Sequence, residues 1–191
     1  MKVIAFNGSP RKGGNTSILI KEVLKPIKKQ GIETETIQVG GKNVRGCIAC
    51  YKCVENKDNE CSVKNDIIND CIKKVIESDA IILGSPCYFT NVTSELKALI
   101  DRLGLVSIAN GGFLRRKVGA AVVAVRRGGA IHAFDSINHL FQMTEMFVVG
   151  STYWNFALGR NPGEVSSDEE GIKNMNNLGE NIAWLLKKIN S

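Results

Sequence analysis

Histidine, proline and aromatic residues are scarce in this chain: two His, four Pro and 6% Phe, Trp and Tyr among 191 residues. His132 and His139 leave few candidates for a histidine-activated nucleophile, and neither lies near Cys87 in sequence, so Cys87 reads as a small wall residue. The low aromatic content, with no zinc-finger spacing and no RNP-type motif, argues against nucleic acid as a partner. No apolar run much exceeds eight residues, whereas a bilayer crossing needs ~20. Met1–Phe6 is too short for a signal-peptide core and no small-residue cleavage pattern follows it. The expectation is a cytoplasmic protein with no membrane segment. Neither phosphate fingerprint is complete. Four residues separate Gly8 from Gly13, but Gly14-Asn15 stands where a P-loop needs Lys-Ser/Thr, and G-x-G-x-x-G is absent.

What is present is an ordinary globular composition, 43% hydrophobic and 23% charged. A mass of 20.8 kDa suffices for one sizeable core, and no repeat, linker or low-complexity tract divides the chain. The reading is a single domain over residues 1–191. The net charge of +6 is concentrated: residues 1–30 carry seven Lys and Arg against Glu22 alone. A second basic group is Arg115, Arg116, Lys117, Arg126 and Arg127. Charge focused in this way suits a small anionic ligand. Lys21, Lys25, Lys28 and Lys29 read equally well as the solvated face of a helix.

Strands and helices alternate. Val3–Phe6 is an apolar run ended by the turn signal Asn7-Gly8-Ser9-Pro10, and Ile20, Val23, Leu24 and Ile27 then follow helical spacing, with Pro26 as a candidate kink. Glu33–Val39 alternates as a strand. Ile67, Ile68, Cys71, Ile72, Val75 and Ile76 mark a helix, and Ala80–Gly84 a buried strand stopped by Ser85-Pro86. Leu96, Leu99, Ile100 and Leu103 mark the next helix, then come an apolar strand over Val118–Val125, a helix to about Glu145, and a fifth strand at Met146–Val149. Ser166-Ser167-Asp168-Glu169 reads as a capping box opening the last helix. Continuously apolar strands alternating with helices imply a parallel sheet covered on both faces. Five strands favour the flavodoxin-like doubly wound order 2-1-3-4-5. Residues 40–62 lack a period and form a cysteine-rich insertion after the second strand, long enough to be functional.

In such a sheet the ligand lies at the carboxyl ends of the strands. Three loops leave those ends. Gly8–Ser17 supplies glycines, hydroxyls, Arg11 and a helix N-terminus, which together suit a phosphate. Ser85–Asn91 is apolar and aromatic and could lie along a flat ring. Arg126-Arg127-Gly128-Gly129 permits close backbone approach and offers cations to a reduced ring or a nucleotide phosphate. Each also reads as an ordinary turn.

Asn-Gly-Ser-Pro-Arg-Lys-Gly-Gly-Asn-Thr-Ser after the first strand, Ser-Pro-Cys-Tyr-Phe before Leu96-Lys97 and Asp101-Arg102, and the later Gly-Gly loop resemble the flavodoxin-like NAD(P)H-dependent FMN reductases over about residues 1–150. The cysteine segment resembles that of their relatives, the iron–sulfur flavoproteins. The resemblance implies non-covalent FMN, with Ser9, Arg11, Asn15, Thr16 and Ser17 round the phosphate. It implies Pro86, Cys87, Tyr88, Phe89 and Asn91 against the isoalloxazine, and Arg126, Gly128 and Gly129 on the third side. It also implies a homodimer or homotetramer in which a neighbouring subunit completes the flavin site.

Cys47-x2-Cys50-x2-Cys53, with Cys61 after seven further residues, supplies four clustered thiols. In a cytoplasmic chain these suit metal better than disulfides, and four thiolates suit a [4Fe–4S] cluster. The bacterial ferredoxin run has three residues before its fourth cysteine and a proline after it; here Ser62 follows Cys61. A metal-free segment and a zinc site stay open as alternatives. Cys71 has core spacing.

The implied protein is an FMN-dependent oxidoreductase. Hydride transfer from a stacked nicotinamide needs positioning and no side-chain acid or base, so no catalytic residue is assigned. Two readings follow: electron transfer through FMN and a cluster, with a ferredoxin-like partner, or an NAD(P)H-dependent reductase of quinones, nitro or azo compounds without a cluster. A binding module for a phosphate-bearing ligand is the third.

Overall fold

The computed structural model describes residues 1–190. Three apolar runs form the centre of a parallel sheet: β1 (Lys2–Asn7), β3 (Ala80–Pro86) and β4 (Val118–Val125), with nearly every residue buried. Their side chains alternate between two cores, as burial on both faces demands. Ile4, Phe6, Ile81, Leu83 and Val123 face one core, and Val3, Ala5, Ile82 and Val122 the other. β2 (Glu33–Gln38) is the polar edge strand, where Glu33 and Glu35 both pair with Lys2, at 3.2 and 3.4 Å. Charge on an edge strand discourages pairing with another sheet.

The strand order is 2-1-3-4-5, as the alternation implies. The fifth position holds two short strands. β5 (Phe147–Val148) pairs with the start of β4, and β6 (Phe156–Leu158) pairs with its end. Sequence reading finds only the first of these, because three residues, Phe-Ala-Leu, are too few to show a period.

α1 (Asn15–Lys29) and α6 (Glu169–Ile189) cover one face. Pro26 lies inside α1 and the helix continues past it. A Cβ at Gly179 of α6 would stand 2.1 Å from the Val23 carbonyl and 2.5 Å from Pro26 Cγ, so only glycine admits this approach. α3 (Ile68–Ile76), α4 (Ser94–Ala109) and α5 (Ala130–Met143) cover the other face. The cysteine-rich insertion packs on that same face through Cys53 and Cys61. It contains one short helix, α2 (Lys52–Asn56).

The capping box is displaced from its expected place. Ser166 and Ser167 belong to a 3-10 turn, and the cap of α6 is Asp168. Its carboxylate accepts from Gly171 N at 3.0 Å and from Leu158 N at 2.7 Å. Two oxygens let one side chain cap the helix and tie down β6, which a serine hydroxyl does less well. Among the described residues, no helix is long and apolar enough to cross a membrane.

Candidate functional site

The loop after β1 is held rigidly against its neighbours. Gly8 N donates to Gly84 O at 2.7 Å, and Thr93 Oγ1 donates to Gly8 O at 2.8 Å. Asn7 Oδ1 accepts from Ser9 N, while Gln38 Nε2 donates to the Ser9 and Gly40 carbonyls. With those groups engaged, the loop delivers the chain to the first turn of α1. Gly14 caps that helix without a side chain, and its first turn has no acid. Free N–H groups and the positive end of the helix dipole therefore face outward. Thr16 Oγ1 is buried there without a hydrogen-bond partner.

The loop after β3 forms the opposite wall. Cys87 N donates to Ala124 O at 2.9 Å, carrying the pairing of β3 with β4 one residue further. Tyr88 and Asn91 then exchange backbone hydrogen bonds around Phe89 (φ 46) and Thr90 (φ 62). Two non-glycine residues at left-handed φ mark a tight turn under strain, and such strain gathers at ligand sites. From the third loop, Gly129 (φ 83) closes against this turn, where a Cβ would meet Thr90 Cγ2 at 2.9 Å.

One cavity lies between the loops. Ser9, Arg11, Asn15, Thr16, Pro86, Cys87, Tyr88 and Arg126 line it. Ser17, Phe89, Asn91, Gly128 and Gly129 are not on its lining. Asn91 turns its Oδ1 to Val92 N, and Phe89 points fully into solvent. Asn15 is spent on the fold: its carboxamide donates to the Gly159 and Asn161 carbonyls and accepts from Gly163 N. Through that clasp Gly159, Arg160 and Pro162 join the lining, adding a third arginine to Arg11 and Arg126. Sequence reading missed these three, although Asn161-Pro162-Gly163 is a strong turn signal. Burial pushes the Cys87 thiol up, which suits a wall rather than a nucleophile.

The four clustered cysteines line a second cavity together with Tyr51 and Arg102. Cys53 and Cys61 are buried, Cys50 is half-buried and Cys47 exposed. Cys50 Sγ lies 3.0 Å from Ser62 Oγ; that bond, then the Lys52 N–H, lowers the Cys50 pKa. Burial raises that of Cys53, with smaller contributions from the other three thiols. Ala49, Tyr51, Lys57 and Asn59 all take left-handed φ, so strain gathers here too. Among the described residues, no three His, Cys, Asp or Glu side chains converge as they would on one metal ion. Cys71 lies apart in α3, its thiol pushed up to about 12 chiefly by burial.

Residues 1–161 match the family described as NADPH-dependent FMN reductase. The chain belongs to this family. An iron–sulfur flavoprotein of Methanocaldococcus jannaschii is 40% identical over 196 residues, covering 99% of each chain, and places the protein among the iron–sulfur flavoproteins. Among solved structures, RosB with a bound 8-demethyl-8-formylriboflavin-5'-phosphate superposes with a TM-score of 0.79 at 19% identity, over 100% of this chain and 80% of that one. A flavodoxin from the domain Archaea superposes with a TM-score of 0.63 at 17% identity, over 98% and 99%. The protein is thus an FMN-dependent flavoprotein and oxidoreductase with the flavodoxin-like fold.

This FMN reductase fold suits its cofactor on local grounds. The orphaned Thr16 hydroxyl and the uncapped end of α1 match a phosphate dianion. The cysteine cavity suits a group whose four thiolates attach to different irons, and so ring a space rather than meet at a point.

Arg102 went unread in the sequence except as part of a motif. Its side chain is fully buried in an ion pair with Asp66 at 2.5 Å, and the Asp66 side chain is 2% exposed. Nε donates to Cys61 Sγ at 3.2 Å, Nη1 to Arg45 O and Nη2 to Val63 O. Burial pushes the Asp66 carboxyl up. The Arg102 bond and the Arg45 and Ile68 N–H groups outweigh burial and leave its pKa below the usual range. The helix that carries Arg102 begins beside the loop after β1: Thr93 caps α4 and donates to the Gly8 carbonyl. Nine residues of helix, roughly 14 Å, thus run from that contact, one residue before Ser9 of the first cavity, to Arg102 on the second.

Proposed function

We propose that this protein is an electron-transfer flavoprotein holding FMN between its three strand-end loops and a [4Fe–4S] cluster on Cys47, Cys50, Cys53 and Cys61. The observation that carries the reading is the cavity lined by those four cysteines, from which α4 runs back to the Thr93–Gly8 contact beside the loop after β1. FMN, when bound, supplies two-electron exchange with a nicotinamide and one-electron exchange with a cluster.

The chain's own groups do the binding and orienting. Thr16 Oγ1 and the first N–H groups of α1 donate to the phosphate, and Arg11 and Arg160 neutralise its charge. Pro86, Cys87 and Tyr88 form the wall for the ring and exclude water from it. Arg126, on the cavity lining, stabilises negative charge on the reduced ring. No side chain is needed to move a proton. Phe89, fully exposed at the tip of a strained turn, supports a homo-oligomer in which it packs on a second copy. A ferredoxin-like protein is the proposed donor and a small molecule the acceptor.

A second reading is a direct NAD(P)H-dependent reductase of quinones, nitro or azo compounds. Arg126, on the lining of the flavin cavity, favours it by offering a cation to a pyridine nucleotide phosphate.

Anaerobic purification with iron, acid-labile sulfide and FMN counted per chain tests the proposal. About four irons with matching sulfide per flavin are expected, with iron lost in Cys→Ser variants at Cys47, Cys50, Cys53 or Cys61 and kept in Cys71→Ala. FMN without iron, together with steady NADPH oxidation, selects the second reading.

A further inference from the structure

Arg102 is hard to explain as a structural residue alone. A fully buried guanidinium is expensive unless its partners compensate it, and apolar side chains of similar volume commonly serve as well or better. Here the partners are specific. Four of its hydrogen bonds go to the cysteine-rich segment and its continuation, at Arg45, Cys61, Val63 and Asp66, and one of the acceptors is sulfur. Cys61, with its Sγ 3.2 Å from Nε, is the one of the four clustered cysteines that lies outside the compact triple.

We infer that the Arg102–Asp66 pair sets the reduction potential of the cluster through Cys61. The inference rests on the cluster reading proposed above. One-electron reduction adds one negative charge to the cluster and its thiolates, with no bond made and no proton moved. A positive N–H donor on the Cys61 sulfur stabilises the more negative state and so raises the potential. Asp66, in contact with the same guanidinium, offsets part of that field. The two residues therefore act in opposite directions. Arg102 is a positioning and tuning residue that touches the ligand, not the reacting flavin.

The opposite signs supply the test. Wild type, Arg102→Lys and Asp66→Asn would be purified anaerobically and their clusters titrated against redox mediators, followed by EPR. FMN content reports folding of each variant. Lysine keeps the charge but loses the Nε–H to sulfur and the rigid fork. At the wild-type midpoint, the reduced-to-oxidised ratio should fall about tenfold in Arg102→Lys, equivalent to ~59 mV for one electron. In Asp66→Asn, which removes the negative charge, the ratio should rise. Midpoints that stay put, or move in the same direction, in variants with full FMN and iron overturn the inference. If Arg102→Lys fails to retain iron, Asp66→Asn decides alone: a raised potential supports the inference and an unchanged or lowered one overturns it. A wild-type protein without iron and sulfide instead overturns the cluster reading itself, so the two failures are distinguishable.

Discussion

Gly129 and Thr90 touch so closely that a Cβ on the glycine would stand 2.9 Å from Thr90 Cγ2. The contact fastens the arginine–glycine loop to the turn that forms the proposed flavin wall. Gly129 also has φ 83, a conformation that disfavours any residue with a Cβ. In Gly129→Ala both effects act at once, and strain of about 1–3 kcal/mol is expected. FMN should bind about tenfold more weakly, and the apoprotein should melt at a lower temperature. Titration of apoprotein with FMN by fluorescence quenching, beside a thermal melt, measures both. Wild-type affinity in the variant would show that the two loops need not be locked together.

Thr16 gives a cleaner separation of stability from binding. Its buried hydroxyl has no partner within the protein. Thr16→Val keeps the shape and removes an unsatisfied polar group, so the apoprotein should be as stable or more stable. A hydrogen bond to a charged phosphate is worth roughly 1.5–3 kcal/mol, so FMN affinity should fall at least about tenfold. A variant that loses apoprotein stability while keeping FMN affinity would refute the assignment.

Cys71 predicts a pH dependence. Its thiol is pushed up to about 12, mainly by burial, from an ordinary value of 9.0. The folded state holds the proton that the unfolded state releases. The resulting stability is fully present below about 9 and is lost as pH rises towards 12, with a slope near 1.4 kcal/mol per unit. In Cys71→Ala this component should vanish. Urea melts of both proteins between pH 8 and 11 test it, since all other titrations are common to the pair. Parallel curves would mean that Cys71 ionises as readily in the folded state as in the unfolded one.

Phe89 is 103% exposed, an unusual position for so large an apolar side chain. If it packs on a second copy, the wild type should sediment as a dimer or tetramer at micromolar concentration. Phe89→Asp should then sediment as a monomer with an unchanged far-UV CD spectrum. A monomeric wild type would remove the proposed role.

The sequence by itself determined the sheet order, the three loops at the strand ends and the candidate cluster ligands. Apolar runs such as Val118–Val125 and the spacing of Cys47, Cys50, Cys53 and Cys61 are local patterns, written in residues near one another. Only the tertiary structure decided the rest. It buried Arg102 against Cys61, 41 residues away, and spent Asn15 on the loop at Gly163, 148 residues away. It also split the fifth strand and moved the cap of α6 to Asp168. Arginine, asparagine and aspartate carry no periodic signal. Their roles depend on which distant backbone and sulfur atoms the packed helices bring within hydrogen-bond reach, and folding alone fixes that.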